Sequence, residues 1–325
     1  MIEVLSIPPL ATVQDLGRYG HWFQGLGQAG AMDGLSHRLA NLLLGNEVTA
    51  ATVEIPLAPV RLRFCTEMAF SIAGAVCGAR LDDRVLPAIW AGVAKADQVL
   101  VLKGISQGAR IYLALPGGID VPIVLGSRST QLREAFGGYE GRMLAAGDRL
   151  KPINDIWPLL PASGLSLGMP PLKQDGKTEI ELRVLPSAEY DNFSAESRKA
   201  FWSSSYRVSA TSNRQGYRLE GDALSWVSTV ELRSHGIVPG IIQVPGNGQP
   251  IIQLADTATM GGYPAIGAVI EPDLWRIAQA RAGEYLQFVR VDLDEAASAE
   301  SEQQNILASL NAHLAETREL LGSWN

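Results

Sequence analysis

The side chains of this chain best suited to chemistry are gathered in three glycine-rich polar blocks. The first runs Thr12-Val13-Gln14-Asp15-Leu16-Gly17-Arg18-Tyr19-Gly20 and resumes at Gly30-Ala31-Met32-Asp33. The second is Pro116-Gly117-Gly118-Ile119-Asp120-Val121-Pro122, followed by Leu125-Gly126-Ser127-Arg128-Ser129-Thr130. The third is spread over Ser212-Asn213-Arg214-Gln215-Gly216-Tyr217, Gln243-Val244-Pro245, Gly248-Gln249-Pro250, Asp256 and Gly261-Gly262-Tyr263-Pro264. Such groups orient a ligand. Asn213, Gln243 and Gln249 carry amides that both donate and accept. Arg214 and Arg128 present planar forks suited to a carboxylate or phosphate, and Ser127 adds a hydroxyl. Asp256 can accept an N–H, or act as a base if desolvation raises its pKa. Tyr263 brings a flat face and a hydroxyl beside glycines that allow close backbone approach. Asp256 and Asn213 are the candidates for catalysis; Arg214, Gln243, Gln249, Tyr263, Arg128 and Ser127 are the candidates for substrate binding. Each has a structural alternative as a turn former, a cap or one half of an ion pair. Asp15, Arg18, Asp33 and Asp120 are read as structural.

Three other patterns fit their settings poorly. Gly25-Leu26-Gly27-Gln28-Ala29-Gly30 spells a dinucleotide fingerprint, but His21-Trp22-Phe23-Gln24 is not the buried strand that must precede one. Gly164-Leu165-Ser166-Leu167-Gly168 matches a nucleophile elbow, yet lies among prolines instead of between a strand and a helix. Gly176-Lys177-Thr178 resembles the end of a phosphate-binding loop whose first glycine would fall on Pro171. The four histidines, His21, His37, His235 and His313, have no ligand spacing, so no metal site is expected. A Met-Lys-Met segment, the mark of a biotinylated lysine, is absent from the sequence.

The elements that must position these blocks are mostly strands. Apolar runs at 60–64, 69–73, 98–102 and 109–115 read as strands in the first half, and 179–185, 240–244 and 250–254 in the second. Asp33 is an N-cap before Leu35, Leu39 and Leu42 at helical spacing, with Gly45 as the stop. Residues 191–203, 272–281 and 294–321 read as helices, the last an amphipathic docking helix. Pro152, Pro158, Pro161, Pro170 and Pro171, with Gly164, Gly168 and Gly176 between them, predict an irregular linker. The organisation expected is therefore a β-rich domain over 1–151, a linker over 152–178, a second β-rich domain over 179–290 and a helical tail over 291–325. Recurring turn-then-strand patterns at Ala96-Asp97-Gln98, Ala146-Gly147-Asp148 and Ala282-Gly283-Glu284 suggest a duplicated domain.

A net charge of −7 argues against a nucleic-acid partner. Neither a basic-then-apolar leader nor an 18-residue apolar run is present, so no membrane partner is expected. Two cysteines in 325 residues fit a reduced cytoplasmic setting.

In order and spacing the three blocks resemble the biotin-dependent carboxyltransferase-like family. Its members are variously called allophanate hydrolase subunit 2, KipI antagonist or the C subunit of 5-oxoprolinase, and it is similar to one half of the carboxyltransferase domain of urea carboxylase. The resemblance extends over about residues 1–289. Ala258-Thr259-Met260 stands where the family has Gln-Thr-Thr, while His235 and Gly246-Asn247-Gly248 replace an acidic residue and a Pro-Asp-Gly turn. The resemblance implies two cyclophilin-like β-barrel subdomains and a KipI-type partner (the B subunit of 5-oxoprolinase). For 5-oxoprolinase it further implies an A subunit of the LamB/YcsF type, together with ATP-driven opening of the 5-oxoproline lactam to glutamate, ATP being used by the complex. A small, neutral, planar lactam or ureido group suits the amides, hydroxyls and arginines above. Two other functions stay open: carboxyl transfer to a urea-like acceptor from carboxybiotin on a separate carrier, and antagonism of a KipI-like kinase inhibitor. The polar blocks favour catalysis, since a purely protein-binding surface leans on aromatic anchors.

Overall fold

The computed structural model describes all residues except Met169, Gln174, Asp175, Thr229, Val230, Glu231, Trp324 and Asn325, and only the backbone of Gly322 and Ser323. Three residues of the expected linker, Met169, Gln174 and Asp175, thus lie outside the described residues. The chain divides into two compact units. One comprises Met1–Arg18, Ala29–Pro170 and Ile306–Asn325; the other comprises Tyr19–Gln28 and Pro171–Asn305.

The first unit is built on a ten-stranded sheet. Its strands are β1 (Ile2–Ser6), β2 (Thr12–Gln14), β3 (Thr52–Ile55), β4 (Val60–Phe64), β5 (Met68–Leu81), β6 (Arg84–Val85), β7 (Trp90–Ala94), β8 (Val99–Ala114), β9 (Arg149–Leu150) and β10 (Leu165–Ser166). Their order is β10-β7-β5-β8-β4-β1-β9; β3 also pairs with β8 and carries β2, and β6 pairs with β5. The expected strands at 98–102 and 109–115 are one strand, β8. The glycines between them mark irregular pairing with β5, where the register shifts between Gly74 and Val76, Val76 and Cys77, and Cys77 and Ala79. Such bulges bend a strand without ending it.

Helix α1 (Gly34–Leu44) follows the capping logic of the sequence. Asp33 Oδ1 accepts from Ser36 N at 2.8 Å, and Gly45 takes φ +70° while its N–H reaches the carbonyls of Asn41 and Leu42. The Arg318 guanidinium donates to the Leu42 carbonyl at the same helix end, where a cation also opposes the helix dipole. Leu39, Leu42 and Leu43 pack with Ala73, Tyr112 and Leu314. No strand flanks residues 25–30: a 3₁₀ turn, Trp22–Gln24, ends at Gly25, so the dinucleotide fingerprint lacks its βαβ frame.

Residues 164–168 form no elbow either. Leu165 and Ser166 pair with Ala91 and Trp90 as edge strand β10, so this part of the expected linker is ordered sheet. Trp90 Nε1 donates to the Ser163 carbonyl at 3.3 Å, and the Arg84 guanidinium donates to the carbonyls of Ala162 and Ser163. A Cβ on Gly164 would lie 2.3 Å from the Trp90 indole nitrogen, so only glycine fits there.

The second unit holds a closed barrel. Its seven strands are β11 (Ile180–Pro186), β12 (Ser205–Val208), β13 (Gly216–Glu220), β15 (Ile241–Gln243), β16 (Ile251–Gln253), β18 (Ala265–Val269) and β19 (Tyr285–Arg290). The order is β11-β18-β15-β16-β13-β12-β19, closed by parallel pairing of β19 with β11. Alternation places Ile180, Leu182 and Val184 of β11 in the core, each contributing about 1.5–3 kcal/mol. A two-stranded ribbon pairs β14 (His235–Gly236) with β17 (Met260–Gly261). Helix α2 (Ala195–Ser203) is capped by Ser194 and stacks Phe201 on Phe288, and α3 (Leu274–Gln279) follows a short 3₁₀ turn. Helix α4 (Leu293–Ser323) opens with a reciprocal capping box between Asp292 and Glu295. Its Leu310 and Leu314 pack in the core of the first unit.

Candidate functional site

In the second unit the chain brings Asn213, Arg214 and Asp256 together at one end of the β13–β16 pair. Asp256 accepts from Arg214 at both carboxylate oxygens, from Nε at 2.8 Å and from Nη2 at 2.9 Å. Only 12% of the arginine side chain and 13% of the aspartate side chain are exposed. A bidentate pair so sheltered is strong and directional. It takes one acceptor site on each carboxylate oxygen and so fixes the orientation of Asp256. Backbone bonds from Asp256 N to the Arg214 carbonyl and from Leu254 N to the Gln215 carbonyl lock the two loops. Asn213 shapes its own turn, its Oδ1 accepting from Gln215 N at 2.8 Å.

Gln243 is buried and bonded at both its amide nitrogen and its amide oxygen. Its Nε2 donates to the Tyr263 carbonyl at 3.2 Å, and its Oε1 accepts from Gln253, which in turn accepts from Thr257. A Cβ at Gly261 would lie 2.6 Å from Gln243 Nε2, so the glycine permits this approach. Tyr263 is 53% exposed. Gln249 lies elsewhere, its amide bracketing the N–H and carbonyl of Gly221 at 2.9 and 3.1 Å. His235 and Met260 lie on one ribbon: His235 faces Gly261 and Gly236 faces Met260.

In the first unit Ser127 and Arg128 belong to a loop organised by Asp15. Its Oδ1 accepts from Gly17 N, Ser127 Oγ and Ser129 Oγ at 2.8, 2.6 and 2.6 Å, and its Oδ2 from Arg128 N at 2.6 Å. Arg18 donates from Nη2 to the Ser129 carbonyl at 2.7 Å and lies over the Phe136 ring. The structural role expected of Asp15 and Arg18 is therefore to hold the loop bearing two candidate binding residues.

A second buried network went unrecognised in the sequence. Glu54 Oε2 accepts from Tyr112 Oη at 2.7 Å and from Met32 N at 2.8 Å, while Arg110 Nε lies 3.9 Å from Oε1. Tyr112 Oη accepts from Asp33 N at 2.8 Å, so the network fixes the N-cap of α1. Burial, then the neighbouring Glu54 charge, pushes the Tyr112 phenol well above its ordinary range. The available signal was Glu54 and Tyr112 at apolar strand positions, which the register sets opposite one another.

His37 lies in the same interior, its Nδ1 2.9 Å from Thr52 Oγ1. Burial lowers its pKa from 6.5 to about 4, so the native protein holds the neutral ring. The unfolded chain therefore binds one more proton between those values, and stability is complete above pH 6.5 and falls as pH drops toward 4. The loss is about 3 kcal/mol. Urea unfolding at pH 7 and pH 4.5 should show this decline in the wild type and a shallower one in His37→Gln. Equal slopes would refute it.

Lys177 donates to Glu181 at 2.9 Å and Thr178 to Glu179 at 2.7 Å, so neither is set to cradle a phosphate. Among the described residues no group of three His, Cys, Asp or Glu side chains is placed to hold a metal ion. Among them also, no helix is long and apolar enough to cross a membrane. A cleft of about 1010 Å³ in the second unit is lined by Leu185, Arg290, Asp292 and Glu295, and none of the candidate residues borders it.

Comparison with known proteins places this architecture. A family model described as "Carboxyltransferase domain, subdomain A and B" matches residues 24–290. The chain is 42% identical to the 5-oxoprolinase C subunit of Escherichia coli, over 95% of this chain and 97% of that protein. With the 5-oxoprolinase C subunit of Haemophilus influenzae the identity is 40%, over 91% of this chain and 93% of that protein. Among solved structures, the urea carboxylase of Kluyveromyces lactis superposes with a TM-score of 0.86 at 28% identity, over 95% of this chain but only 29% of that one. A family model over most of the chain and relatives at 42% and 40% identity thus agree, and the chain belongs to the carboxyltransferase domain family, subdomains A and B.

Proposed function

We propose that this chain is one subunit of a multi-protein, ATP-dependent 5-oxoprolinase that opens the lactam of 5-oxoproline to L-glutamate in the cytoplasm. The observation that carries the reading is near end-to-end similarity to free-standing subunits, with 97% of the Escherichia coli protein covered. The urea amidolyase of Lachancea kluyveri contains the module as only 18% of its length. Partner subunits of the KipI type (the B subunit) and the LamB/YcsF type (the A subunit) complete the enzyme. Opening an unstrained lactam breaks a resonance-stabilised C–N bond, and ATP supplies the driving force. Lys177 and Thr178 are engaged by neighbouring glutamates, and ATP is used at the level of the complex. This chain's part is to bind and orient. Within the second unit the Arg214–Asp256 pair, with the turn of Asn213, holds the loops, Tyr263 and the Gln243 amide shape their surroundings, and Gln249 braces Gly221; within the first unit, Ser127 and Arg128 are separate binding candidates.

Purified alone, the chain should show negligible 5-oxoproline-dependent ATP hydrolysis, and the two partners should restore it, as read by coupled phosphate release. Full activity of the isolated chain would refute the subunit reading. The likeness to urea carboxylase favours one alternative, carboxyl transfer from carboxybiotin on a separate carrier. A complex inactive on 5-oxoproline that carboxylates a urea-like acceptor would establish it. Release of a sensor kinase from a KipI-like inhibitor would instead point to a regulatory role.

A further inference from the structure

Strand alternation gives the sheet of the first unit two unlike faces. Val4 of β1, Leu62 and Phe64 of β4, Leu100 and Leu102 of β8 and Leu150 of β9 are buried in the core. The residues between them point the other way, toward solvent. Register then aligns these outward positions from strand to strand. Arg149 of β9 and Arg63 of β4 both stand opposite Glu3 of β1, and Arg61 of β4 stands opposite Val101 of β8. Lys103 follows Val101 by two residues and shares its face. Its stem runs beside Gly78 of β5, where a Cβ would fall 3.2 Å from Lys103 Cβ.

Four cations therefore share this face with one carboxylate. Glu3 is already engaged: Arg63 donates to its Oε2, and Arg149 lies 4.0 Å from its Oε1. Arg61 and Lys103 are exposed and have no ion-pair partner among the described residues. The acids at the rim do not cancel them. Asp82 accepts from Val99 N and Gln98 Nε2, each at 2.9 Å, and Asp97 lies near Arg63. Arg80, opposite Val101 on β5, is directed to the carbonyls of Asp82 and Asp83.

A local surplus of positive charge in a chain of net charge −7 selects what can approach it. The half-buried side chains of Leu5, Val99 and Val101 lie among the cations. Arginine is enriched at protein interfaces, where its stem packs on apolar neighbours and its head pairs with carboxylates. A nucleic acid fits less well, because none of these positions offers an aromatic face for stacking and the chain as a whole is acidic.

We infer that this sheet face, centred on Arg61, Arg63 and Lys103, docks a carboxylate-rich surface of a partner subunit. The inference rests on the subunit reading above and adds to it the place and the chemistry of the contact. Exposed charges of this kind act mainly on encounter, so the face speeds association and turns away basic surfaces.

The test presents this chain to the purified KipI-type and LamB/YcsF-type subunits and records association and dissociation rates at low and high salt. Arg61→Glu/Lys103→Glu should weaken binding about 10–100-fold, chiefly through slower association, and should flatten the salt dependence seen in the wild type. Both residues are exposed, so the unfolding temperature should not change. If it does, Arg61→Gln/Lys103→Gln, with an intermediate loss expected, carries the test. Lys199→Glu, at an exposed position on α2, is the control for Arg61→Glu because the two change net charge equally. Wild-type affinity in Arg61→Glu/Lys103→Glu overturns the inference and leaves the subunit reading standing. Equal losses in Lys199→Glu and Arg61→Glu also overturn it, since net charge and not this face would then be the cause. Capture of a DNA oligonucleotide that is lost in the same variants, with subunit binding intact, would make the face a nucleic-acid site and overturn it too. A wild type that binds neither subunit overturns the functional reading, and this inference falls with it.

Discussion

Glu54→Ala should destabilise the protein by about 3–5 kcal/mol, because it removes the carboxylate of a buried charge pair that also accepts two hydrogen bonds. Arg110, which is itself buried, would lose the carboxylate beside it. Met32 N and Tyr112 Oη would lose their acceptor, and with them goes the fixed position of Asp33 at the start of α1. Against a typical total of about 5–15 kcal/mol, this is a large share of stability. Tyr112→Phe is the graded control. It removes the phenol oxygen that accepts from Asp33 N but keeps the ion pair, and should cost about 1–3 kcal/mol. Urea unfolding monitored by tryptophan fluorescence orders the three proteins. A Glu54→Ala cost below that of Tyr112→Phe would mean that the carboxylate is not the centre of the network.

The same network shows where the sequence stopped being legible. Strand β4 could be read from Val60, Leu62 and Phe64 alternating with Arg61 and Arg63, since that period is local. Helix α1 could be read from Asp33 and Gly45 for the same reason. Strand β8 was read as two pieces because Gly104 and Gly108 look like punctuation, whereas they lie within a strand whose pairing with β5 shifts register. Closure of the barrel depends on pairing Ile180 with Leu286, across more than a hundred residues, and no local pattern encodes that. The site divides in the same way. Residue types in the polar blocks were visible, but not which amides would be consumed internally. Gln243 and Gln249 looked like ligand groups and proved to be bonded within the protein, while Gln131, next to a block already noticed, carries the unmatched acceptor. Bonding partners that sit far apart in the chain decide this, and only the fold supplies them.

Arg214→Ala and Asp256→Ala should each lower kcat of the assembled enzyme by about 10²-fold, and the double variant should be no worse than either alone. A displacement of about 1 Å in positioning groups is enough for a loss of that size. The two residues form one sheltered bidentate pair, and each holds a loop through the other: Asp256 N donates to the Arg214 carbonyl while the side chains close the ring. Once one member is gone, the other has nothing left to position, so the effects cannot add. Stability separates this reading from a catalytic one. Arg214→Ala leaves the mostly buried Asp256 carboxylate without its ion-pair partner and should lower the unfolding free energy by about 3–5 kcal/mol, and the double variant should recover much of it. A base would behave otherwise. Were Asp256 the group that takes a proton from the reacting atoms, Asp256→Ala would abolish turnover while Arg214→Ala kept a substantial part of it, and the double variant would match Asp256→Ala. The cycle is read in kcat and in urea unfolding on the same four proteins. Equal single losses with a non-additive double assign the pair to positioning, whereas a loss confined to Asp256 variants that fold normally would return the aspartate to the chemistry.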